Sequence, residues 1–397
     1  MIMNTEKNLK NISKVSWKTF LKDVFICSMG AYGGPEAHYG VFTEQLVVKK
    51  KYLTEEELVE LIALTGILPG PSSTQTIVAI GHKIGGPILA FLTMLVWALP
   101  IITFMTILSF LSSKNISKEA FQYIGPMAVG FIIVAAYRIG RKVATDKVTL
   151  LLLILGAVTT YFIRKPWIYP LVLIFGGVVS IIKSKEKDLW NRVKLNPPWK
   201  YLIAFAVIGI GSIILNIFWD NKIIRIFESF YRYGYLVIGG GQVVIPLMYS
   251  ELVEINKYMT DQEFLTGFGL IQGLPGPMFS FSAYAGGMAA RGSGVLIQLI
   301  GALAGGIGIF LPGLLLIYFV YPIWENLKKI KGIKVSLRGI TAIAGGLITT
   351  SAIILMQKSD LILENILVCL LTVLLLFIKK VPTPLIVIAV LVAGYIW

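Results

Sequence analysis

Charge is scarce in this chain of 397 residues: Asp, Glu, Lys and Arg make up 14% of it, where a soluble globular protein carries roughly 25%. With 56% hydrophobic residues and a mean hydropathy of +0.78, that scarcity excludes a water-soluble fold. Histidine and cysteine are rarer still, two of each. Cys27 and Cys369 both sit in apolar runs, so neither a structural disulfide nor a Cys/His metal site is expected, and no cofactor is implied. There is no Walker loop and no placeable Ser/His/Asp set, and Gly239-Gly240-Gly241 lacks the strand context of a dinucleotide fingerprint. No enzyme is expected. Alternating strands are missing as well, which removes an outer-membrane barrel and leaves helices that satisfy their own backbones.

What is present is a series of apolar runs. Residues 86–110, 120–137, 148–163, 167–182, 201–218, 295–320, 339–356, 361–378 and 382–397 are nine spanning candidates, close to the roughly ten crossings that about 20 residues each would allow. The net charge of +15 reads as cytoplasmic loops rather than a nucleic-acid partner. Residues 1–22 are polar, carry Lys7, Lys10, Lys14, Lys18 and Lys22, and offer no short apolar run with a cleavage site, so no cleaved signal peptide is expected.

Two regions, 23–84 and 228–291, are apolar but broken by Gly and Pro and contain acids. They align with each other at a constant offset of 206. Gly33-Gly34-Pro35 falls on Gly239-Gly240-Gly241, Tyr52-Leu53-Thr54-Glu55 on Tyr258-Met259-Thr260-Asp261, Glu57 on Glu263, and Leu68-Pro69-Gly70-Pro71 on Leu274-Pro275-Gly276-Pro277. The chain is a tandem duplication. It divides into a cytoplasmic segment (1–22), a first repeat (23–182), a basic linker with a connecting span (183–222) and a second repeat (223–397).

Loop charge predicts that the repeats are inverted. In the first, the loop 138–147 (Arg138, Arg141, Lys142, Lys147) is more basic than 111–119; in the second, 322–338 (Lys328, Lys329, Lys331, Lys334, Arg338) is more basic than 357–360, so corresponding loops face opposite sides. The N-terminus, Lys49-Lys50-Lys51, the linker and Lys379-Lys380 are then cytoplasmic and the C-terminus is outside. Residues 55–68 and 72–84 are too short to cross and read as half-helices of a re-entrant hairpin with Leu68-Pro69-Gly70-Pro71 at its tip. Residues 20–34 and 36–50 form a second such pair, broken at Gly33-Gly34-Pro35.

A Pro-Gly-Pro break at membrane depth leaves main-chain groups unpaired, which is tolerable only in a wet cavity or inside protein. Pro71 suits the first position of a new helix, so the amides of Ser72, Ser73 and Thr74 open into the cavity. With the hydroxyls of Ser72, Ser73 and Thr74 and the Gln75 amide, that helix start is an anion site without a fixed cation. A plain kink with Ser/Thr satisfying neighbouring helices is the alternative; repetition at Pro275, Gly276 and Pro277 favours a substrate site. There the sequence runs Met278-Phe279, so the donor set is asymmetric. Glu36 and His38 flank the first glycine break and are candidates for proton coupling, against the readings that Glu36 lies at the surface and His38 bonds a carbonyl. Glu57 and Glu263 are weaker candidates, since most of the acids there match the start of an amphipathic helix. Arg138 and Arg141 read as topology signals, with an anion-attracting mouth as the alternative. Trp97, Trp167, Trp199, Trp219, Trp324 and Trp397 read as interfacial anchors.

Gly33-Gly34-Pro35-Glu36-Ala37-His38, the stretch from Tyr52 through Pro69-Gly70-Pro71-Ser72-Ser73-Thr74-Gln75, and their echoes at Gly239-Gly240-Gly241 and Pro275-Gly276-Pro277 resemble the chromate ion transporter family in its long, two-domain form. The likeness covers nearly the whole chain. It departs at Tyr52 and Tyr258, where members commonly have Trp, at Glu36, where a small or apolar residue is usual, and at Met278-Phe279. The resemblance implies efflux of chromate, with sulfate as a related oxyanion, driven by an ion gradient. The reading is an all-α polytopic membrane protein of tandem inverted repeats with re-entrant half-helix hairpins. It would be a secondary transporter in the cell membrane that exports a tetrahedral oxyanion by alternating access. An anion channel or an anion-sensing receptor is the alternative use of the same site. Its partners are the small inorganic oxyanion and the lipid bilayer; a coupling proton or other ion, and a second copy of the chain as a homodimer, are further partners this class admits.

Overall fold

A chain this apolar can hide its backbone polar groups in a bilayer only by pairing them locally, and every regular element among the described residues is helical. The computed structural model describes residues 15–112, 121–186, 188–191, 193–238, 244–359, 362–378 and 380–396. The first half runs α1 (Trp17–Gly30), α2 (Pro35–Phe42) continuing into a π-helical turn (Thr43–Lys49), α3 (Glu55–Ile67), α4 (Ser72–Ser112), α5 (Ile124–Val143), α6 (Lys147–Phe162) and α7 (Ile168–Lys183). After α8 (Trp199–Phe218) the second half runs α9 (Lys222–Leu236), α10 (Ile245–Tyr249) with a π-helical turn (Ser250–Ile255), then α11 (Asp261–Ile271). A 3-10 turn (Met278–Ser280) leads into α12 (Phe281–Ala289), followed by α13 (Val295–Gly308), α14 (Leu311–Val320), α15 (Trp324–Leu327), α16 (Lys331–Lys358), α17 (Leu363–Ile378) and α18 (Thr383–Ile396).

Five stretches are long and apolar enough to cross a bilayer: α4, α5, α8, the run Val295–Leu327, and α16. The helices α6, α7, α17 and α18 are apolar but shorter. The chain is a multi-pass membrane protein. In α8 Ser212 is the one buried residue, as expected of a helix whose surround is lipid.

Local chemistry sets the breaks. Thr54 caps α3 by accepting from the Glu57 amide (3.2 Å), while the Glu57 carboxylate accepts from the Thr54 amide (2.9 Å). Thr260 and Glu263 repeat this at α11, at 3.2 and 2.8 Å. Such a box stabilises a helix start by about 1 kcal/mol. The segment 72–84 ends where expected: Gly85 (φ −146°, ψ 21°) and Gly86 (φ 72°, ψ −165°) leave helical geometry, so α4 is two helical pieces joined at a kink. One expected boundary differs. The run 295–320 is not one helix; it divides between Gly308 and Leu311, because Pro312 sits in the first turn of α14 and has no N–H to continue the ladder.

Polar contacts tie the loops together at two opposite ends of the bundle. At one end Arg338 donates to Asp146 (2.6 Å), Lys328 pairs with Glu60, Asn326 donates to the Lys194 carbonyl (3.2 Å), and the Gly332 amide donates to the Leu189 carbonyl (2.8 Å). At the other, Arg164 pairs with Glu254 (2.8 Å), Ser250 donates to the Arg164 carbonyl (3.0 Å), and the Gln357 amide donates to the Tyr161 hydroxyl (3.1 Å). Both α6 and α16 run from the first end to the second.

Candidate functional site

The two Pro-Gly-Pro segments connect α3 to α4 and α11 to the 3-10 turn before α12. Gly70 lies at φ +132°, and a Cβ there would stand 2.6 Å from the Gln75 side-chain nitrogen; Gly276 lies at φ +82°, and a Cβ there would stand 2.9 Å from Ile101. Only glycine fits either place. The Gly70 amide donates to the Val237 carbonyl in the second half (2.7 Å), and the Gly276 amide donates to the Ala31 carbonyl in the first (2.7 Å). Ala31 and Val237 correspond at the same offset of 206 and each precedes a glycine break. Each tip is therefore docked on the residue two before the glycine break of the opposite half. Gly33 and Gly34 follow Ala31 at this contact, while Gly239, Gly240 and Gly241 lie outside the described residues.

Polar side chains surround the tips. At the start of α4, Ser73, Thr74 and Gln75 are buried and Ser72 is half-buried. The first-turn amides of Ser72, Ser73 and Thr74 have no acceptor within their helix. Gln75 Nε2 donates to the Pro69 carbonyl (2.8 Å) and, at 3.4 Å, reaches the Gly313 carbonyl on α14. His38 Nδ1 stands 2.9 Å from Ser73 Oγ. Trp97 Nε1 donates to Thr74 Oγ1 (3.1 Å), and Ser28 Oγ donates to the Trp97 carbonyl (2.7 Å). Ser28 Oγ in turn lies 3.2 Å from where a Gly276 Cβ would be, so one chain of contacts joins the second tip to the start of α4.

Trp97 corrects a sequence reading. It is not an interfacial anchor but fully buried, because its N–H has a buried acceptor and its ring meets His38 and Phe42 edge to face at 5.4 and 5.3 Å. Trp324 is likewise buried. In the second half Ser280 and Ser282 are buried beside the apolar Phe279, and their hydroxyls have no partner. His38 Nε2 and Gln75 Oε1 are also buried without one. Unpaired buried polar atoms cost about 1–3 kcal/mol each, and these four lie at or beside the starts of α4 and α12.

The remaining candidates divide. His38 is buried at the site, whereas Glu36 is exposed in the first turn of α2. Glu57 and Glu263 are the capping-box acids and pair with Lys83 and Arg291, about three turns away from the tips. Arg138 donates to the Leu376 carbonyl (2.6 Å) and so completes the end of α17, and Arg141 donates to Tyr137 (3.3 Å). Sequence reasoning passed over a set of buried charges. Asp23 accepts from Tyr52 (2.5 Å) and pairs with Lys50 (3.0 Å). Arg232 bridges Glu228 (2.8 Å) and Glu251 (2.6 Å), and Glu251 also accepts from Tyr233 (2.7 Å). The signal that could have found them is an acid within an apolar helix. No group of three metal-ligating side chains occurs among the described residues.

A cleft of about 830 Å³ opens at the end where Lys328 pairs with Glu60; it follows α3 from Glu55 to Ile67 and is closed opposite by Trp324, Lys328 and Lys334. Ile67 lies two residues before Pro69, so the cleft ends next to the first tip.

Residues 18–181 and 224–395 match the chromate transporter family. The chain is 25% identical to a probable chromate transport protein of Synechococcus elongatus, over 94% of each. It is 27% identical to a chromate transport protein of Cupriavidus metallidurans, over 92% of this chain and 89% of that one. An uncharacterized transporter of Methanocaldococcus jannaschii is 26% identical, over 93% of this chain and 91% of that one. No solved structure matches. Both matched segments contain a complete Pro-Gly-Pro tip, and the chain belongs to the chromate transporter family, which are transporters and not enzymes.

Proposed function

We propose that this chain is a secondary transporter that exports a tetrahedral oxyanion, chromate or sulfate, across the cell membrane by alternating access, with the anion held at the starts of α4 and α12. The observation that carries the reading is the crossed pair of hydrogen bonds, Gly70 to Val237 and Gly276 to Ala31. A contact made reciprocally by equivalent residues is the signature of a two-fold relation, and interrupted helices paired about such an axis are where transporters bind solutes. Chromate is the solute named for two of the relatives. A helix start offers bare amides and a partial positive charge, and Ser73, Thr74, Ser280 and Ser282 add hydroxyls at that place.

The helix directions support inversion. Because α6 and α16 run from the same end and α5 precedes α6 through a short turn, α5 runs opposite to α16. Yet α5 and α16 hold corresponding places in the order of elements of the two halves, and they pack correspondingly, α5 on α17 and α16 on α6. The basic segments 138–147, 183–200 and 322–338 meet at one end, which favours that end as cytoplasmic, with the N-terminus inside and the C-terminus outside. The cleft along α3 would then be the inner approach to the site, and rocking one half against the other would close it.

Pro69→Ala, Gly70→Leu and Ser73→Ala are the test, in everted vesicles supplied from outside with labelled chromate or sulfate. Each is expected to lower uptake at least about tenfold while the protein still inserts: Ser73→Ala by the loss of roughly one good hydrogen bond, Gly70→Leu by the clash with Gln75, and Pro69→Ala by loosening the tip. Wild-type protein in proteoliposomes is expected to show saturable counterflow. Conductance without counterflow would make it a channel instead, and normal uptake by all three variants would remove the site.

A further inference from the structure

His38 carries two features that anion binding alone does not use: its Nδ1 touches the Ser73 hydroxyl at 2.9 Å, and its Nε2 is buried without a partner. Ser73 is the second residue of α4, so its hydroxyl sits among the first-turn amides on which the anion is proposed to rest. A hydroxyl has one proton to give. Against a bare Nδ1, Ser73 donates to the ring and turns a lone pair towards the anion. Against an Nδ1 that carries hydrogen, Ser73 accepts, and its own proton is free for the anion.

We propose, on the anion-transport reading above, that His38 is a proton site coupled to the anion site through the Ser73 hydroxyl. In the imidazolium both nitrogens carry hydrogen, so Ser73 is forced into its donating orientation towards the anion. The same protonation adds a positive charge to a site otherwise built from dipoles. Loss of the proton removes the charge, and where it leaves Nδ1 bare it also lets Ser73 turn its own proton back to the ring. Thr74 does not switch: Trp97 Nε1 always donates to its oxygen, which leaves the Thr74 proton available in either state.

The elements packed most against α2, which carries His38, are α1, the π-helical turn after α2, and α4. Their titratable groups are engaged elsewhere or turned outward. Asp23 is held by Tyr52 and Lys50, Glu44 pairs with Lys49, and Lys83 pairs with Glu57. Cys27 is a buried thiol, Lys18 and Lys22 are exposed, and His82 lies against Tyr318 and Tyr321. On α2 itself Glu36 is exposed and Tyr39 meets the Phe42 ring. The charge facing the imidazole is therefore the bound anion. Proton and anion each raise the other's affinity by the same factor, and a dianion accompanied by one proton still carries a single negative charge, so outward movement runs with an inside-negative potential.

Sulfate and chromate binding to the purified full chain, titrated from about pH 8 down to about pH 5, is the experiment. Sulfate keeps its charge over that range; the chromate arm compares wild type and variant at equal pH, where the anion's own titration cancels. Wild-type affinity is expected to rise with acidity by up to about tenfold per pH unit, the limit for one linked proton. His38→Gln, which cannot titrate, flattens the profile. Ser73→Ala binds more weakly in acid and with a shallower slope, which a merely structural serine would not alter. A flat wild-type profile, or the wild-type slope in either variant, overturns the coupling. Binding of neither anion at any pH overturns the anion site itself and this inference with it, a result distinct from tight binding with a flat profile.

Discussion

Trp97 holds three neighbours at once. Its N–H fixes Thr74, its carbonyl receives Ser28, and its ring edge meets His38. Trp97→Phe keeps an aromatic ring but removes the donor and part of the buried ring volume, so Thr74 Oγ1 loses the bond that orients it. Anion affinity is expected to fall about tenfold, since a net hydrogen bond is worth about 1 kcal/mol, while the slope of binding against pH stays, because the His38–Ser73 contact does not pass through Trp97. Isothermal titration with sulfate and chromate at two pH values checks both. Single residues were legible unevenly. The two glycines of the tips stood out because Pro-Gly-Pro has no quiet place in a membrane helix, and the burial of Ser73, Thr74 and Gln75 follows from their position after it. Trp97 did not, since its acceptor is 23 residues away and nothing in the local sequence separates a buried indole from one at the lipid surface. The pairing of Arg232 with Glu251 was missed for the same reason: it is made between α9 and the second π-helical turn, and only folding brings them together.

At the scale of elements, Thr54 with Glu57 and Thr260 with Glu263 explain why both halves keep an acid at this place without any appeal to proton transfer. Thr54→Ala or Thr260→Ala is expected to cost about 1 kcal/mol of stability by loss of the cap, measured by thermal unfolding in detergent. Glu57→Gln and Glu263→Gln are the sharper pair. Glutamine still closes the capping box but cannot ionise, so the pH profile of anion binding should match that of wild type in both. A changed profile would return these acids to the coupling machinery. Helix starts announced by Thr-x-x-Glu and helix ends announced by proline are legible in the amino-acid order alone. The π-helical turns Thr43–Lys49 and Ser250–Ile255 are not, because widening a helix by one residue leaves the apolar pattern almost intact.

For the molecule as a whole, the duplication was written in the offset of 206, but the way the halves grip each other was not. Sequence equivalence pairs Gly70 with Gly276, whereas the hydrogen bonds pair Gly70 with Val237 and Gly276 with Ala31, a crossing that only a two-fold arrangement produces. If that axis lies in the membrane plane, equivalent residues face opposite compartments. Lys51 and Lys257 are such a pair: both exposed, both at positive φ (55° and 51°), and each just before a capped helix. With Cys27 and Cys369 replaced, a single cysteine at 51 should be closed to an impermeant maleimide added to intact cells and open in everted vesicles, and one at 257 should behave the other way. Labelling of both from one side would place the axis along the membrane normal. The two half-helix starts would then approach from the same leaflet, and no rocking of one half against the other could carry an anion between the two sides.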